Sequence, residues 1–212
     1  MYGSVNWFDS SAAACGEMVG DIIDALGVAW TPEIASHLYL AISTDTGSFR
    51  FGSITPRTFE KCRRIAEAGV DVAALSRLIF DSYSVGRVRI MGAMLSAMEL
   101  YHGNRVAVLH VDESLLKASC ATIDDTEGLV NLPLGAREVV AVALFKRQPT
   151  GVYRVSLPSK GDLDVRSVAT RWSGAGHKNA AGCTVTGEYA DLKKAFVEAI
   201  GVEMKTDSAI PR

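Results

Sequence analysis

The stretch Gly174-Ala175-Gly176-His177-Lys178-Asn179-Ala180-Ala181-Gly182 places one imidazole and one ammonium among side chains too small to shield them. Glycines at 174, 176 and 182 let the chain take positive φ and approach a ligand closely, so successive N–H groups can converge on an anion. Lys178 adds a positive charge, and His177 a ring N–H able to face a phosphate or an oxyanion. The same residues also suit a tight turn between a helix and a strand, in which His177 only caps backbone. The surroundings of the stretch decide between the two.

A second candidate for chemistry is Asp45, in Ser43-Thr44-Asp45-Thr46-Gly47-Ser48-Phe49. The apolar spacing before it predicts a helix that ends here, so the carboxylate faces the negative end of the helix dipole at a cost of about 0.3–1 kcal/mol. A bound cation would offset that cost, with the hydroxyls of Thr44, Thr46 and Ser48 orienting the carboxylate. The alternative is an ordinary Asp-Thr-Gly turn. Arg87 and Arg89 fall on a later predicted helix, where arginines are usually solvated surface.

The totals narrow the partners. The chain has 212 residues, 48% of them apolar and 22% charged, which is globular composition. A formal net charge of -2 provides no global basic field, so a long nucleic-acid duplex is not an expected partner, whereas a small phosphate ester in a local pocket is. Cys15, Cys62, Cys120 and Cys183 are scattered without C-x-x-C or histidine spacing, which suggests reduced thiols in a cytoplasmic protein rather than a zinc site or disulfide framework. No apolar run approaches the roughly 20 residues of a membrane span, and no membrane partner is expected.

The elements that must position these residues follow from periodicity. Val5 to Phe8 reads as strand-like, and Asp9-Ser10-Ser11 offers caps for a helix whose apolar row is Ala14, Met18, Ile22 and Leu26. Thr31-Pro32 opens a second helix with Ile34, Leu38 and Ile42 inside, Thr55-Pro56 a third, and Asp71 a fourth. A fifth runs from about Ser84 to Tyr101 and breaks at His102-Gly103-Asn104. The texture then turns to alternation. It predicts a strand at 106–111, a short helix from Asp112, and an antiparallel hairpin of 139–145 with 152–157. A helix capped by Asp164 follows, then a strand at 183–186 and a last helix to about Ile200. Residues 1–103 thus read as one helical unit, 104–204 as a compact α+β unit, and 205–212 as a flexible tail. Helices such as those of the first unit usually cover a sheet, and that partner layer is missing. Self-association through the uncovered face, as a homodimer, is compatible with this organisation.

Four blocks in this order resemble the DHH/DHHA1 phosphoesterases: Thr44-Asp45-Thr46-Gly47-Ser48-Phe49-Arg50-Phe51, Thr126-Glu127-Gly128-Leu129-Val130-Asn131, Val155-Ser156-Leu157-x-Ser159-Lys160, and Gly174-x-Gly176-His177-Lys178-Asn179-Ala180-Ala181-Gly182. Within the family they are similar to the branch that unites oligoribonuclease (nanoRNase) and 3'-phosphoadenosine 5'-phosphate phosphatase activities. The resemblance extends from about Tyr2 to Ile200. It implies an α/β, two-domain architecture in which residues 1–103 are the helical C-terminal part of a parallel-sheet DHH domain and 104–204 an α+β DHHA1 domain. It implies Asp45 as the last aspartate of a two-manganese site and His177 as the catalytic residue reaching the scissile phosphate. It further implies Gly174, Gly176, His177, Lys178, Asn179, Ser156, Ser159 and Lys160 as the substrate-binding set, for short RNA or a nucleoside bisphosphate, to which the two-residue strand period adds Arg154. Two metals would activate a water and neutralise charge in an in-line phosphoryl displacement.

The departures from the family pattern set further expectations. Its Asp-His-His motif has no counterpart among His37, His102, His110 and His177, so the chain is expected to begin just after that motif and to be catalytically incomplete as it stands. The middle glycine of the last block is Ala175, a mild change at negative φ and a costly one at positive φ. Pro158 stands where the family usually has arginine, which removes a phosphate-pairing fork. Arg154, Ser156 and Pro158 share one strand face by the two-residue period, which leaves Arg154 or Lys160 to take over the charge. The other reading of the whole chain is a non-catalytic nucleotide-binding module.

Overall fold

The computed structural model describes residues 3–50 and 52–208. It divides into two compact units, Met1–Ser82 and Tyr83–Arg212.

The first unit is helical: α1 (Cys15–Ala25), α2 (Pro32–Asp45), α3 (Pro56–Glu67) and α4 (Val72–Phe80). Two of the expected caps form. Thr31 Oγ1 accepts from the Ile34 amide at the start of α2, and the Asp71 carboxylate from the Ala74 amide at the start of α4. Asp9-Ser10-Ser11 does not cap α1, which begins at Cys15 without a side-chain cap. The Asp9 carboxylate instead accepts from Ser11 and Arg57. Residues 3–8 form bends and irregular chain in place of the expected strand, with Val5 and Phe8 exposed. No neighbouring strand pairs with that segment among the described residues, and an isolated strand has no partner for its amides.

The face on which α1 packs also differs from the periodic reading. Gly16, Glu17 and Gly20 are its buried positions, while Ile22 and Leu26 of the expected apolar row are exposed. A Cβ on Gly16 would stand 2.9 Å from that of Ala41, so small residues set the close approach of α1 to α2. Across α1 and α3 lies a charge network. Arg57 binds Asp9 at 2.7 Å and also Asp21, Lys61 binds Asp21 at 2.5 Å, and Arg64 grips both oxygens of Asp24 while stacking on Trp30. Hydrogen bonds from Ser11 and then Arg57 hold the Asp9 carboxyl down at about 2, and Arg64 holds that of Asp24 well below its usual range.

The second unit is a six-stranded mixed sheet with helices. Its strands are β1 (Glu99–Tyr101), β2 (Val106–Val111), β3 (Ala141–Arg147), β4 (Tyr153–Pro158), β5 (Ala175–His177) and β6 (Ala180–Val185), in the order β1-β2-β3-β4-β6-β5. Its helices are α5 (Val85–Ser96), α6 (Glu113–Ser119), α7 (Val165–Thr170) and α8 (Tyr189–Ser208), with 3-10 segments at Asp124–Thr126 and Leu129–Gly135. The fifth helix stops at Ser96 rather than Tyr101, because Glu99 to Tyr101 pair antiparallel with Val108 to Val106 and sheet pairing overrides the helical period. β2 and β3 run parallel, joined through α6, and the expected hairpin of β3 with β4 is present. The last helix continues to Ser208, past Ile200, and the tail expected from 205 lies, from residue 209, outside the described residues. No described helix is long and apolar enough to cross a membrane.

Each sheet face has its own core. On one, Val106, Val108, Phe145, Val155 and Leu157 pack under Val168 of α7 and Phe196 and Ile200 of α8. On the other, Ala107, Leu109, Val142 and Leu144 pack under Ile90 and Met94 of α5 and Leu129 of the second 3-10 segment. The second cover lies mainly over β2 and β3 and reaches the edge of β4. Among the described residues on the same face of β4, β6 and β5, Arg154, Ala175, His177, Ala180 and Thr184 are exposed, Ser156 is half-buried and Pro158 is buried.

Two outcomes follow. Phe145 is fully buried and meets Tyr153, Tyr189 and Phe196 edge to face, so Phe145→Ala lowers the unfolding free energy by about 3–5 kcal/mol, read by urea denaturation. The aspartates of the α1–α3 network have lowered folded-state pKa values. Their stabilisation is therefore present above the unfolded carboxyl pKa of about 4 and is lost as pH falls through the folded values, toward about 2 for Asp9. Arg57→Met accordingly lowers the thermal midpoint at pH 6 and changes it little at pH 2. An equal drop at both pH values excludes the electrostatic origin.

Candidate functional site

The open face is legible strand by strand. In β4, Tyr153, Val155 and Leu157 point into the core, which sends Arg154, Ser156 and Pro158 to the other side. The β4–β6 register sets Arg154 beside Thr184, Ser156 beside Gly182 and Pro158 beside Ala180, and β5 continues two of these rows with Ala175 and His177. A groove of about 580 Å³ lies over them, lined among others by Arg154, Ser156, Pro158, Ala175 and Thr184, with Val130 and Asn131 of the 3-10 segment on the opposite side. The Arg154 side chain makes no hydrogen bond or ion pair among the described residues and is exposed at the groove. Small residues at 175, 180, 181 and 182 keep the floor low.

The Gly174–Gly182 stretch is a hairpin rather than an open loop. β5 and β6 pair from Ala175–Gly182 to His177–Ala180, with Lys178 and Asn179 in the turn, so much of the backbone serves the sheet instead of gathering into a nest. Two glycines have definite steric reasons. Gly176 has φ +151°, and a side chain there would collide with Ala180 and Ala181. A Cβ on Gly174 would meet the Gly182 carbonyl at 2.5 Å and that of Ala169 at 2.8 Å. Ala175, by contrast, is absent from the positive-φ positions and turns its methyl to the groove, which makes the exchange of glycine for alanine the mild case. His177 is exposed on the row of Pro158 and Ala180, and its ring takes no hydrogen-bond partner among the described residues.

The remaining polar candidates are engaged in the scaffold. Asn179 Nδ2 faces Ser159 Oγ and the Gly161 carbonyl at 3.0 Å each and the Leu163 carbonyl at 3.3 Å, while Ser159 Oγ donates to Leu163 at 2.8 Å. The Val165 amide bonds the Lys178 carbonyl, so the hairpin tip is tied to the start of α7. Lys178 pairs with Asp162 at 2.9 Å, an exposed bridge of the kind worth little in water. Lys160 Nζ donates to the carbonyls of Leu134 at 3.0 Å and Ala136 at 2.7 Å, the end of the 3-10 segment that walls the groove.

The other end of that wall is clasped by Arg87, whose guanidinium donates to the carbonyls of Asp125 and Glu127 at 2.7 Å each. Gly128, at φ +76°, then turns the chain into the wall. Arg87 is thus half-buried and bonded rather than solvated. Behind the wall, Lys146 of β3 stands beside Arg154 in the ladder and binds Glu127 at 2.9 Å. Sequence reasoning does not single out Asn131, Glu127 or Lys146. The first two lie inside the Thr126–Asn131 block, and Lys146 becomes visible once the hairpin register pairs it with Arg154.

Asp45 is the last residue of α2 and exposed. Its neighbours do not orient it. Thr44 Oγ1 donates to the Leu40 carbonyl, and Thr46 Oγ1 donates to Ile42 and accepts from the Phe49 amide, so these hydroxyls finish the helix. Gly47, Ser48 and Phe49 follow with φ of 52°, 58° and 62°. Among the described residues no three His, Cys, Asp or Glu side chains stand together as a metal would require. The residues present therefore do not by themselves fit a two-metal centre.

Residues 103–206 match the DHHA1 domain. The chain is 37% identical to the bifunctional oligoribonuclease and PAP phosphatase NrnA of Thermus thermophilus, over 96% of this chain and 61% of that protein. It is 29% identical to the probable bifunctional oligoribonuclease and PAP phosphatase NrnA of Streptococcus mutans, over 85% of this chain and 57% of that one. An exopolyphosphatase-related protein from Bacteroides fragilis superposes with a TM-score of 0.83 at 26% identity, over 90% of this chain and 57% of its own. The chain thus spans about three fifths of the length of these relatives. With its ordered motifs, its mixed sheet and these relatives, the chain carries a DHHA1 domain over residues 103–206 and is similar to the NrnA relatives along nearly all of its length.

Proposed function

We propose that the groove over β4, β6 and β5 holds the phosphorylated end of a short oligoribonucleotide or 3'-phosphoadenosine 5'-phosphate, and that this chain is the substrate-binding portion of a phosphoesterase. The observation that carries the proposal is the groove itself, a sheet face with a low floor of small residues and an unpaired Arg154 side chain; the exposed His177 lies on the neighbouring row of Pro158 and Ala180. NrnA relatives are named for activity on these two substrate classes, which supports the same assignment. Arg154 offers a planar fork to a phosphate, and His177 a ring N–H to a non-bridging oxygen. Asn179, Ser159 and Lys160 act by holding the hairpin and the wall in place, through the bonds described above. A short ligand suits a net charge of -2, since the cations are local to the groove.

The family's manganese-assisted transfer of a phosphoryl group to water belongs to this proposal for the whole protein. Asp45 would contribute one carboxylate, and the step requires donors beyond those that the described residues bring together. The chain by itself accordingly acts as a nucleotide-binding module. A cytoplasmic setting is part of the same reading and rests on four scattered cysteines.

Isothermal titration with adenosine 3',5'-bisphosphate tests the binding half. Arg154→Ala is expected to weaken binding about tenfold, a loss of ~1.4 kcal/mol. An unchanged affinity would show that Arg154 does not face the ligand. For the catalytic half, the purified chain is expected to leave a diribonucleotide uncleaved in the presence of manganese. Robust hydrolysis that disappears in Asp45→Ala would sink the incompleteness argument.

A further inference from the structure

Lys146 is a charged side chain deep in the protein: its own exposure is 9%, while that of its ion-pair partner Glu127 is 74%. The two ends of this pair are therefore unequally held. Lys146 and Arg154 are directly opposed residues in the β3–β4 register, which sets both on the sheet face that continues into the groove. The Glu127 backbone is fixed as well, because Arg87 grips its carbonyl and that of Asp125. Its side chain, however, lies mostly in solvent and can leave by rotation alone. A buried ammonium without a counter-charge is strongly disfavoured, so departure of the carboxylate requires another anion in its place.

We propose that Glu127 is an internal stand-in for a ligand phosphate, and that Lys146 together with Arg154 forms a second anion subsite at the inner end of the groove, opened when a phosphate monoester displaces the Glu127 carboxylate. The inference rests on the reading of the groove as a phosphonucleotide site and adds to it a subsite and a specificity device. Exchange of a carboxylate for a phosphate monoester keeps Lys146 paired, whereas an uncharged ligand end offers no such replacement. The subsite therefore favours ligands that carry a terminal phosphate over the same nucleoside without one. The Glu127 carboxyl is lowered below its ordinary range by Lys146 first, with Arg154 and Arg87 adding to the effect, so the stand-in is anionic at neutral pH. Displacement is a competition between two anions for one pair of cations, and it forms no covalent bond.

The experiment is a set of calorimetric titrations of the full chain with adenosine 3',5'-bisphosphate and with adenosine. The variants are Glu127→Gln, Lys146→Met, their combination, and Arg154→Ala. Glu127→Gln is expected to tighten the bisphosphate about tenfold and leave adenosine unchanged, because the competitor has lost its charge. Lys146→Met is expected to weaken the bisphosphate, and the combined variant to show no gain over Lys146→Met. Two results would overturn the proposal: no tightening in Glu127→Gln, or a gain that persists in the combined variant, which would mark a general charge effect without Lys146. Glu127→Gln removes the counter-charge but retains an amide oxygen to accept from Lys146, and Lys146→Met leaves only the exposed Glu127 without its partner, so thermal unfolding of each variant accompanies the titrations to establish that it is folded. If the wild-type chain binds the bisphosphate and Arg154→Ala weakens it while the other variants do nothing, the stand-in fails and the groove reading survives. If the wild type does not bind, or Arg154→Ala is without effect, the groove reading itself falls, and the stand-in falls with it.

Discussion

The organisation of the second unit depends on the uneven cover of one sheet. Both faces of β2 and β3 are packed, one under α7 and α8 and the other under α5 and the 3-10 wall. β4 is the strand at which the second cover ends. Its alternation therefore has two consequences at once: Val155 and Leu157 anchor the fold, and the residues between them are released to the groove. Burial of one face holds the other in register, because a slip of one residue would exchange core and groove positions along the whole strand. The register of the groove positions is thus set by the buried half of the strand.

The small residues of the last hairpin have the complementary task. Gly174 and Gly176 are required by contacts of the hairpin with its own scaffold, the Gly182 and Ala169 carbonyls in one case and Ala180 and Ala181 in the other. Their value to a ligand is indirect. They allow β5 to lie close enough for the floor to remain low, and they put His177 on the same row as Pro158. Charge is then supplied from elsewhere, by β4 and β3.

Much of this was legible in the sequence, and the failures have physical causes. The cap residues Thr31, Asp71, Asp112 and Asp164 marked helix starts correctly, because a short polar side chain before an apolar period has few other uses. The β3–β4 hairpin and the common face of Arg154 and Ser156 followed from strict alternation. Asp9 deceived because its carboxylate found an arginine 48 positions away, and the apolar row of α1 deceived because glycines, not leucines, make its closest contact. The scaffold bonds of Ser159, Lys160 and Asn179 were not legible, since motif residues that hold a site and those that touch a ligand have the same polar chemistry. Only coordinates separate them. The Glu127–Lys146 pair was invisible for a further reason: it joins residues 19 apart across a parallel crossover, and no local pattern encodes such a meeting.

The clasp on the groove wall has one more implication. Arg87 and Lys160 hold the wall exclusively through main-chain carbonyls, at Asp125 and Glu127 on one end and Leu134 and Ala136 on the other. Every amino acid carries that acceptor. The clasps are thus indifferent to the side chains at their contact points, and the wall's remaining hold on the sheet comes from Leu129 and Pro133, which are buried, and from Val130 and Leu134 packed beside them. In an engineered version of this protein, the exposed Asn131 and Leu132 are the positions of the wall that can be exchanged with the sheet, its cations and the core left as they are.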